Sequence, residues 1–249
     1  MCERVFYLDG KYLNADDRLL DVFTPGRWQW HGVFETMRVI NGKIEFYDEH
    51  IKRLLGGLKT LNIRHTYTAL DLKHIVRCLI RRNPMIAIGR ARVLVFEEGG
   101  CVHCAAMVLP YQPLAPEKYR RGLRAKIVQT GRPAHARYAG VKSLDYAVFA
   151  DAHQQALATG YDEALLLNDK GHVFEASRAN IFICSGGKII TPPLSSGCLE
   201  GIIRGQVITI ARQLDIPVLE RNLTPAMVKS SDYAFLTNSL AGLVPLRYN

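Results

Sequence analysis

The chain has 249 residues, of which 48% are hydrophobic and 22% are charged, and its formal net charge is +9 at pH 7. These values are typical of globular proteins and exclude the disordered and fibrous classes. The apolar runs are far shorter than the ~20 residues that a membrane helix requires. The first residues, MCERVFYLDG, lack the apolar segment of a secretory signal. We therefore expect a cytoplasmic protein without membrane contact.

The basic residues are dispersed along the chain and form no zinc-finger, homeodomain or RNA-binding signature, so we do not expect nucleic acid as a partner. The positive charge instead favours a small anionic substrate. The six cysteines are widely scattered, which predicts free thiols. The CVHC sequence at 101–104 lacks a second ligand pair, so we expect two partly buried thiols at a strand edge and no metal.

The first half of the chain reads as antiparallel strands followed by helices. Two stretches carry hairpin turn signals, RVFYLDGKYL around Asp9-Gly10 and GVFETMRVINGKIEFYDEH around Asn41-Gly42. Apolar residues at helical spacing predict helices over 50–63 and 69–82. Strands are expected at 91–98 and 103–111.

A proline-containing stretch, QPLAPEK, predicts a linker over residues 112–118. It separates a small N-terminal α+β domain, 1–111, from a larger C-terminal domain, 119–249. In the latter we expect a helix within 144–160, then a strand, a turn at Asp169 to Gly171 and a second strand across 162–184. The remaining predicted elements are a strand at 188–193, a helix at 202–214, and strands at 217–223 and 233–240. The strand at 233–240 is the last that the sequence predicts.

A lone lysine, Lys142, lies in YAGVKSLDYAVF, where a strand-like turn leads into an apolar helix. A lysine at a desolvated junction can lose its proton and bond to an aldehyde cofactor. Glu175 on a following strand could keep a pyridine nitrogen protonated, and the glycine-flanked turn before residue 202 exposes N–H groups to an anion. Each feature alone also fits a solvated lysine, a strand-end carboxylate or an ordinary helix start. Nucleotide-binding glycine motifs and the GxSxG motif of serine hydrolases are absent.

The order and wording of six motifs are more specific than these residue types. GVFETMRV, EHIKRL, GVKSLDY, DEALLLNDKGHVFEASRANIFI, LEGIIR and TNSLAGLVP together resemble the fold-type IV pyridoxal-phosphate enzymes. That family includes branched-chain aminotransferases, D-amino-acid aminotransferases and aminodeoxychorismate lyases. The resemblance runs from the first hairpin to Pro245. It implies a two-domain α+β fold with pyridoxal 5'-phosphate in the interdomain cleft, and a homodimer.

The resemblance also assigns residues to the site. It makes Lys142 the catalytic Schiff-base lysine and Glu175 the partner of the pyridine nitrogen. For the phosphate it implies Arg53, the backbone N–H groups of Ile202 and Ile203, and the TNS segment with Asn238 and the Ser239 hydroxyl. Leu199 is expected against the pyridine ring, and Tyr146 near the phenolic oxygen of the cofactor.

Two of the motifs, GVFET and TNSLAGLVP, resemble the lyases more than the aminotransferases. The expected reaction is therefore conversion of 4-amino-4-deoxychorismate into 4-aminobenzoate and pyruvate, a step towards folate. The alternative is a class IV aminotransferase acting on a branched-chain or D-amino acid. A remote alternative is a non-catalytic cofactor-binding or nucleic-acid-binding protein that keeps the scaffold.

Three departures from the family pattern predict an unusual active-site mouth. Glu97 and Glu98 stand where many relatives have serine or arginine before a glycine. The approach TPGRWQWHGVFET replaces a Gly-Asp-Gly approach. The chain also ends four residues after Pro245, which suggests that a terminal strand is missing.

Overall fold

The computed structural model describes residues 4–15, 23, 31–84, 86–132 and 138–247. The chain forms two compact units. The N-terminal unit comprises Met1–Pro113 with Val141–Ala147, and the C-terminal unit comprises Leu114–Gly140 with Val148–Asn249. The division after Pro113 falls inside the expected linker, part of which is helical. Residues 141–147 differ from the expectation, because they group with the N-terminal unit.

The N-terminal unit contains a six-stranded antiparallel sheet in the order β2-β1-β6-β5-β3-β4. Both expected hairpins are present. Asp9-Gly10 and Asn41-Gly42 have positive φ at both turn positions, as a type I′ turn requires. The strands are β1 (Arg4–Leu8), β2 (Lys11–Ala15), β3 (His31–Ile40), β4 (Lys43–Ile44), β5 (Ile88–Glu98) and β6 (Cys101–Pro110).

Two helices accompany this sheet, α1 (Tyr47–Thr60) and α2 (Ala69–Arg82). The predicted bounds of α2 are correct, and Thr68 caps it through a capping box with Asp71. Helix α1 begins three residues before the predicted stretch. Its apolar stripe is buried, and a Cβ at Gly57 would lie 3.0 Å from the Val33 side chain. Helix α1 therefore packs on the face of β3 that carries Val33.

The opposite face of the same sheet is also buried. Its core combines Phe34 with Phe23, with Leu144 from the segment before the next helix, and with residues of other strands of the sheet: Phe6, Leu94, Phe96, Ala105 and Met107. A strand that is buried on both faces reads as a nearly continuous apolar run, which is how β5 and β6 appear in the sequence. Polar residues within such strands are therefore informative.

The C-terminal unit contains an eight-stranded mixed sheet in the order β12-β11-β10-β13-β14-β7-β8-β9. Its core includes Leu165, Val173, Ile181 and Leu236. The strands are β7 (Leu123–Arg132), β8 (Glu163–Asn168), β9 (Val173–Ala176), β10 (Asn180–Ser185), β11 (Lys188–Thr191), β12 (Val218–Glu220), β13 (Tyr233–Asn238) and β14 (Gly242–Arg247). The helices that follow α2 in the chain are α3 (Pro116–Arg121), α4 (Ala147–Ala158), α5 (Ile202–Gln213) and α6 (Pro225–Ser230).

Several sequence expectations in this unit are wrong in detail. The stretch 162–184 forms three strands rather than two, because residues 177–179 turn the chain between β9 and β10. Strand β7 and helices α3 and α6 were not predicted. The strand at 233–240 is not the last, since β14 follows it and pairs with both β13 and β7. Pro245 lies within β14 opposite Phe235, and a proline inside a strand hides the strand from sequence reasoning.

No helix in the described ranges is long and apolar enough to cross a membrane. The atypical approach at residues 24–30 lies outside the described residues. Glu97 and Glu98 are exposed at the end of β5. In the CVHC sequence Cys101 is exposed and Cys104 is buried, and His103 Nδ1 lies 2.7 Å from Asp9 Oδ2.

Candidate active site

Lys142 is fixed by backbone pairing with the edge of β3. The Phe34 N–H donates to the Lys142 carbonyl at 3.0 Å, and the Leu144 N–H donates to the Gly32 carbonyl at 2.9 Å. Residues 142–144 therefore extend the sheet beside β3 before α4 begins at Ala147. The Lys142 ammonium lies 4.5 Å from the centroid of the Phe34 ring. The side chain is thus held on an aromatic face, unlike a solvated lysine at a helix start.

Tyr146 contacts the same aromatic ring. The rings of Phe34 and Tyr146 are 5.7 Å apart and nearly perpendicular, at 88°. This edge-to-face arrangement is a favourable geometry for aromatic pairs. The structure thereby brings together two of the predicted site residues, Lys142 and Tyr146, around one residue that was not predicted.

Arg53 is held by a buried carboxylate on β3. Its Nε donates to Glu35 Oε1 at 2.6 Å and its Nη2 donates to Glu35 Oε2 at 2.8 Å. His50, one turn earlier on α1, lies with Nδ1 2.7 Å from Glu35 Oε2. Glu35 is fully buried. The bidentate contact fixes the plane of the guanidinium, which makes Arg53 a rigid anion-binding group.

The charge state of Glu35 follows from these partners. Burial alone would raise its pKa, but the charge and hydrogen bonds of Arg53 and the hydrogen bond from His50 outweigh burial and lower the pKa to about 2. Glu35 is therefore ionised at neutral pH. Sequence reasoning missed it, although it lies inside the GVFET motif. A single acidic residue in an apolar strand was the available signal.

Arg92 on β5 is a second buried cation that sequence reasoning missed. It donates to the Phe23 carbonyl, and its Nε donates to Thr36 Oγ1 at 3.3 Å. Its guanidinium carbon lies 5.6 Å from the Phe34 centroid. Among the described residues it has no ion pair with a carboxylate. Burial, with repulsion from Arg90, lowers its pKa to about 10, so it stays charged at neutral pH. A buried charge without a partner is costly and points to an anionic ligand.

In the C-terminal unit, Glu175 on β9 is buried and faces the backbone at Leu199. The Leu199 N–H donates to Glu175 Oε2 at 3.1 Å. The structure therefore brings these two predicted residues together. Burial and the Glu175 charge raise the pKa of the neighbouring Cys198 thiol to about 12.

The start of α5 presents backbone amides of the kind that bind phosphate. Gly201 is the N-cap of the helix and has no side chain to accept from the first amides, so the amides at Ile202 and Ile203 point out of the first turn. Asn180 Nδ2 donates to the Leu199 carbonyl at 2.8 Å, and a Cβ at residue 201 would lie 1.9 Å from Asn180 Oδ1. An alanine at this position would therefore force the Asn180 side chain to move.

Thr237 supplies an unsatisfied polar atom in the same region. It pairs with Asn180 across β13 and β10, and its Oγ1 is buried without a hydrogen-bond partner in the described part of the chain. Buried polar atoms without a hydrogen-bond partner are rare, and they usually bind a ligand or a water molecule. Asn238 Oδ1 accepts from the Leu240 and Ala241 amides, at 3.0 and 2.8 Å, and so shapes the turn that carries Ser239. These groups fit the phosphate of the expected cofactor.

Lowering the pH tests the Glu35 cluster. A folded-state pKa of about 2, below the ordinary 4.5, gives stability that is complete above pH 4.5 and is lost as the pH falls towards 2. The loss is about 3 kcal/mol, from about 1.4 kcal/mol per pKa unit. Urea unfolding should show Glu35→Gln to be less stable than the parent at pH 6, with the difference shrinking between pH 4.5 and 2. Glu45→Gln, at a half-exposed ion pair, is the control. A difference that does not change with pH would contradict this account.

Substitution of Gly201 tests the phosphate site. Gly201→Ala forces Asn180 away from the start of α5 and should weaken pyridoxal-phosphate binding by about tenfold or more, for a loss of about 1.4 kcal/mol. Gly205→Ala is the matched control, because a Cβ there meets nothing within 4 Å. Equilibrium titration of the apoprotein with the cofactor measures both. Equal affinities in the two variants would argue against a phosphate at this helix start.

Comparison with known proteins places these residues in a family. The profile for "Amino-transferase class IV" matches residues 32–248. A Methanocaldococcus jannaschii protein assigned as a branched-chain-amino-acid aminotransferase is 34% identical over 96% of this chain and 86% of its own length. The aminodeoxychorismate lyase of Bacillus subtilis is 26% identical, over 97% and 85%. Further relatives also carry the branched-chain aminotransferase name.

A solved structure supports the same assignment. The branched-chain aminotransferase of Thermoproteus uzoniensis, crystallised with norvaline, has a TM-score of 0.87 and 29% identity, over 99% of this chain and 88% of that one. The expected resemblance, fold class and cofactor are confirmed, as is the expectation of an enzyme. The chain therefore belongs to the class IV aminotransferases, a family of pyridoxal-phosphate enzymes that includes both aminotransferases and lyases.

Proposed function

We propose that the protein is an aminotransferase acting on branched-chain amino acids. The proposal rests on the similarity to one relative, a protein with a branched-chain aminotransferase name that is 34% identical over almost the whole of this chain. Other relatives with that name extend the pattern. The sequence motifs favoured the lyase reaction, and the relatives favour the alternative that the sequence left open.

The N-terminal unit offers the groups that such a substrate needs. An α-amino acid with an aliphatic side chain presents one carboxylate and one apolar surface. Arg92 is a buried cation without a carboxylate partner among the described residues, and it lies against the same Phe34 ring as Lys142. Phe34, Leu144 and Tyr146 supply apolar and aromatic surface. We assign Arg92 to the substrate carboxylate and the aromatic surface to the side chain.

The family resemblance assigns a residue of this chain to each part of the cofactor. Arg53, the first turn of α5 at Ile202 and Ile203, and the segment Thr237 to Ser239 would bind its phosphate. Glu175 would hold a proton on the ring nitrogen, with Leu199 against the ring. When bound, pyridoxal phosphate supplies an electron sink that stabilises negative charge on the substrate carbon next to nitrogen.

Lys142 is the residue that moves the proton. Its Nζ, once neutral, would take the proton from the substrate carbon that carries the nitrogen. In a transamination the same amine would hold that proton and return it on the cofactor side, so that the substrate could leave as a keto acid. Backbone pairing of residues 142–144 with β3 limits the movement of this side chain to its own torsions. Tyr146, which also contacts the Phe34 ring, would approach the phenolic oxygen of the cofactor.

Aminodeoxychorismate lyase is the second candidate function. It is supported by the GVFET and TNSLAGLVP motifs and by the Bacillus subtilis relative of that name. The two arginines on β5, Arg90 and Arg92, also suit a substrate with two carboxylates. In that reaction Lys142 would remove the ring proton next to nitrogen, and loss of the enolpyruvyl group would give 4-aminobenzoate and pyruvate.

The biological setting is part of the same proposal. The family resemblance supports a homodimer. A small amino acid or another anionic amine is the proposed substrate in either case.

A paired assay tests the proposed function. The cofactor-loaded protein is mixed with leucine and 2-oxoglutarate, and in parallel with enzymatically generated aminodeoxychorismate. We expect keto-acid formation from leucine and no 4-aminobenzoate. Lys142→Ala should lower the rate by roughly 10²–10⁴-fold, because it removes the proton-transfer group.

Lys170→Ala is the matched control for this assay, because Lys170 lies exposed in the turn between β8 and β9 and should keep the full rate. Formation of 4-aminobenzoate and pyruvate from aminodeoxychorismate, with no keto acid formed from leucine, would replace the aminotransferase with the lyase. Full activity of Lys142→Ala in both assays would exclude the lysine from the chemistry.

A further inference from the structure

Glu163, at the start of β8, is a buried carboxylate outside the predicted set of site residues. Only 3% of its surface is exposed. Its Oε1 accepts hydrogen bonds from the Ser177 hydroxyl and, at 2.9 Å, from the Ala164 amide. His153 Nδ1 on α4 lies 3.3 Å from the same oxygen, and Arg178 Nε lies 3.6 Å from Oε2. One carboxylate thus joins β8, α4 and the segment that follows β9.

Glu163 keeps its negative charge in spite of its burial. Burial alone would raise its pKa, but the contact with His153, the charge of Arg178 and the hydrogen bond from Ser177 lower it. The carboxylate is therefore ionised at neutral pH. A buried charge is costly unless it is paired and hydrogen-bonded, so displacement of Ser177 or Arg178 away from Glu163 is unfavourable.

Ser177 and Arg178 are the two residues of a tight turn between β9 and β10. The Ala176 amide donates to the Ala179 carbonyl at 2.7 Å and closes the turn. Two-residue hairpin loops favour turn types that need positive φ, which glycine and asparagine adopt most easily. Neither Ser177 nor Arg178 has a positive φ. Local backbone preference therefore does not explain the turn, whereas the Glu163 carboxylate contacts both of its residues.

The turn lies between two residues that hold Leu199. Glu175, just before the turn, accepts from the Leu199 amide at 3.1 Å. Asn180, just after it, donates to the Leu199 carbonyl at 2.8 Å. In the described part of the chain β9 and β10 pair through one bridge, Ala176–Ala179. The turn therefore determines the spacing of Glu175 and Asn180, and with it the position of the Glu175 carboxylate.

We propose that Glu163 is a positioning residue for the cofactor ring. Through Ser177 and Arg178 it fixes the turn, and the turn places the Glu175 carboxylate. Glu163 would act through these residues, without touching the substrate or the cofactor. The inference rests on the proposed role of Glu175 and deepens it, because a carboxylate that holds a proton on the ring nitrogen must lie at hydrogen-bond distance from that nitrogen.

The protonation of the ring nitrogen can be measured directly and without substrate. The apoprotein is loaded with pyridoxal phosphate that carries ¹⁵N in the ring, and the ¹⁵N chemical shift at neutral pH reports whether that nitrogen is protonated. Glu175→Gln gives the signal of a site without its carboxylate. We expect Glu163→Ala and Ser177→Ala to move the parent signal at least halfway towards that of Glu175→Gln.

Two further variants separate positioning from a loss of charge or of stability. Glu163→Gln should keep the parent signal, because its amide oxygen still accepts from the Ser177 hydroxyl and the Ala164 amide. Val228→Ala removes buried atoms from α6 in the same unit. It should lower the melting temperature and leave the ¹⁵N signal unchanged.

The outcomes distinguish this proposal from the one on which it rests. Unchanged signals in Glu163→Ala and Ser177→Ala, when Glu175→Gln moves the signal, would overturn the positioning role and leave the role of Glu175 intact. A Glu163→Gln signal that matches Glu163→Ala would also overturn it, because the effect would then be one of charge. A signal that Glu175→Gln leaves unchanged would overturn both roles. Ser177→Ala decides the test if Glu163→Ala does not fold.

Discussion

The pairing of residues 142–144 with β3 is the constraint on which the site in the N-terminal unit depends. Two backbone hydrogen bonds, Phe34 N–H to Lys142 and Leu144 N–H to Gly32, fix the lysine segment. The strand that receives these bonds also presents Phe34 to the lysine and Glu35 to Arg53, on opposite faces. One strand thereby positions Lys142, an aromatic surface and Arg53. A displacement of β3 would move all three.

Two arginines of this unit, the partly buried Arg53 and the buried Arg92, are balanced differently. Arg53 forms a bidentate ion pair with the buried Glu35, and breaking a buried pair typically costs about 3–5 kcal/mol. Arg92 has only neutral acceptors among its described partners, the Phe23 carbonyl and Thr36 Oγ1. The pair with Glu35 fixes the orientation of the Arg53 guanidinium, whereas the neutral acceptors around Arg92 leave its charge available for an anionic ligand. This difference underlies the separate roles that we propose for the two arginines.

Sequence reasoning identified the features that local patterns and motif order encode. The Asp9-Gly10 and Asn41-Gly42 hairpins and helix α2 are examples. Motif order singled out Glu175 and Leu199 separately, and the structure adds the hydrogen bond between them. Sequence reasoning missed Glu35 and Arg92, because their significance arises from partners distant in the chain or from burial on both faces of a sheet. Pro245 concealed β14. The expectation of a lyase rested on short motifs, whereas the nearly full-length similarity to a relative favours the aminotransferase.

The central claim is that the segment paired with β3 presents Lys142 to the cofactor. Borohydride reduction of the cofactor-loaded protein fixes the cofactor covalently to the lysine that carries it, and peptide mass spectrometry then identifies that lysine. The account predicts that the label lies on Lys142. A label on any other lysine, with Lys142 unmodified, would contradict it.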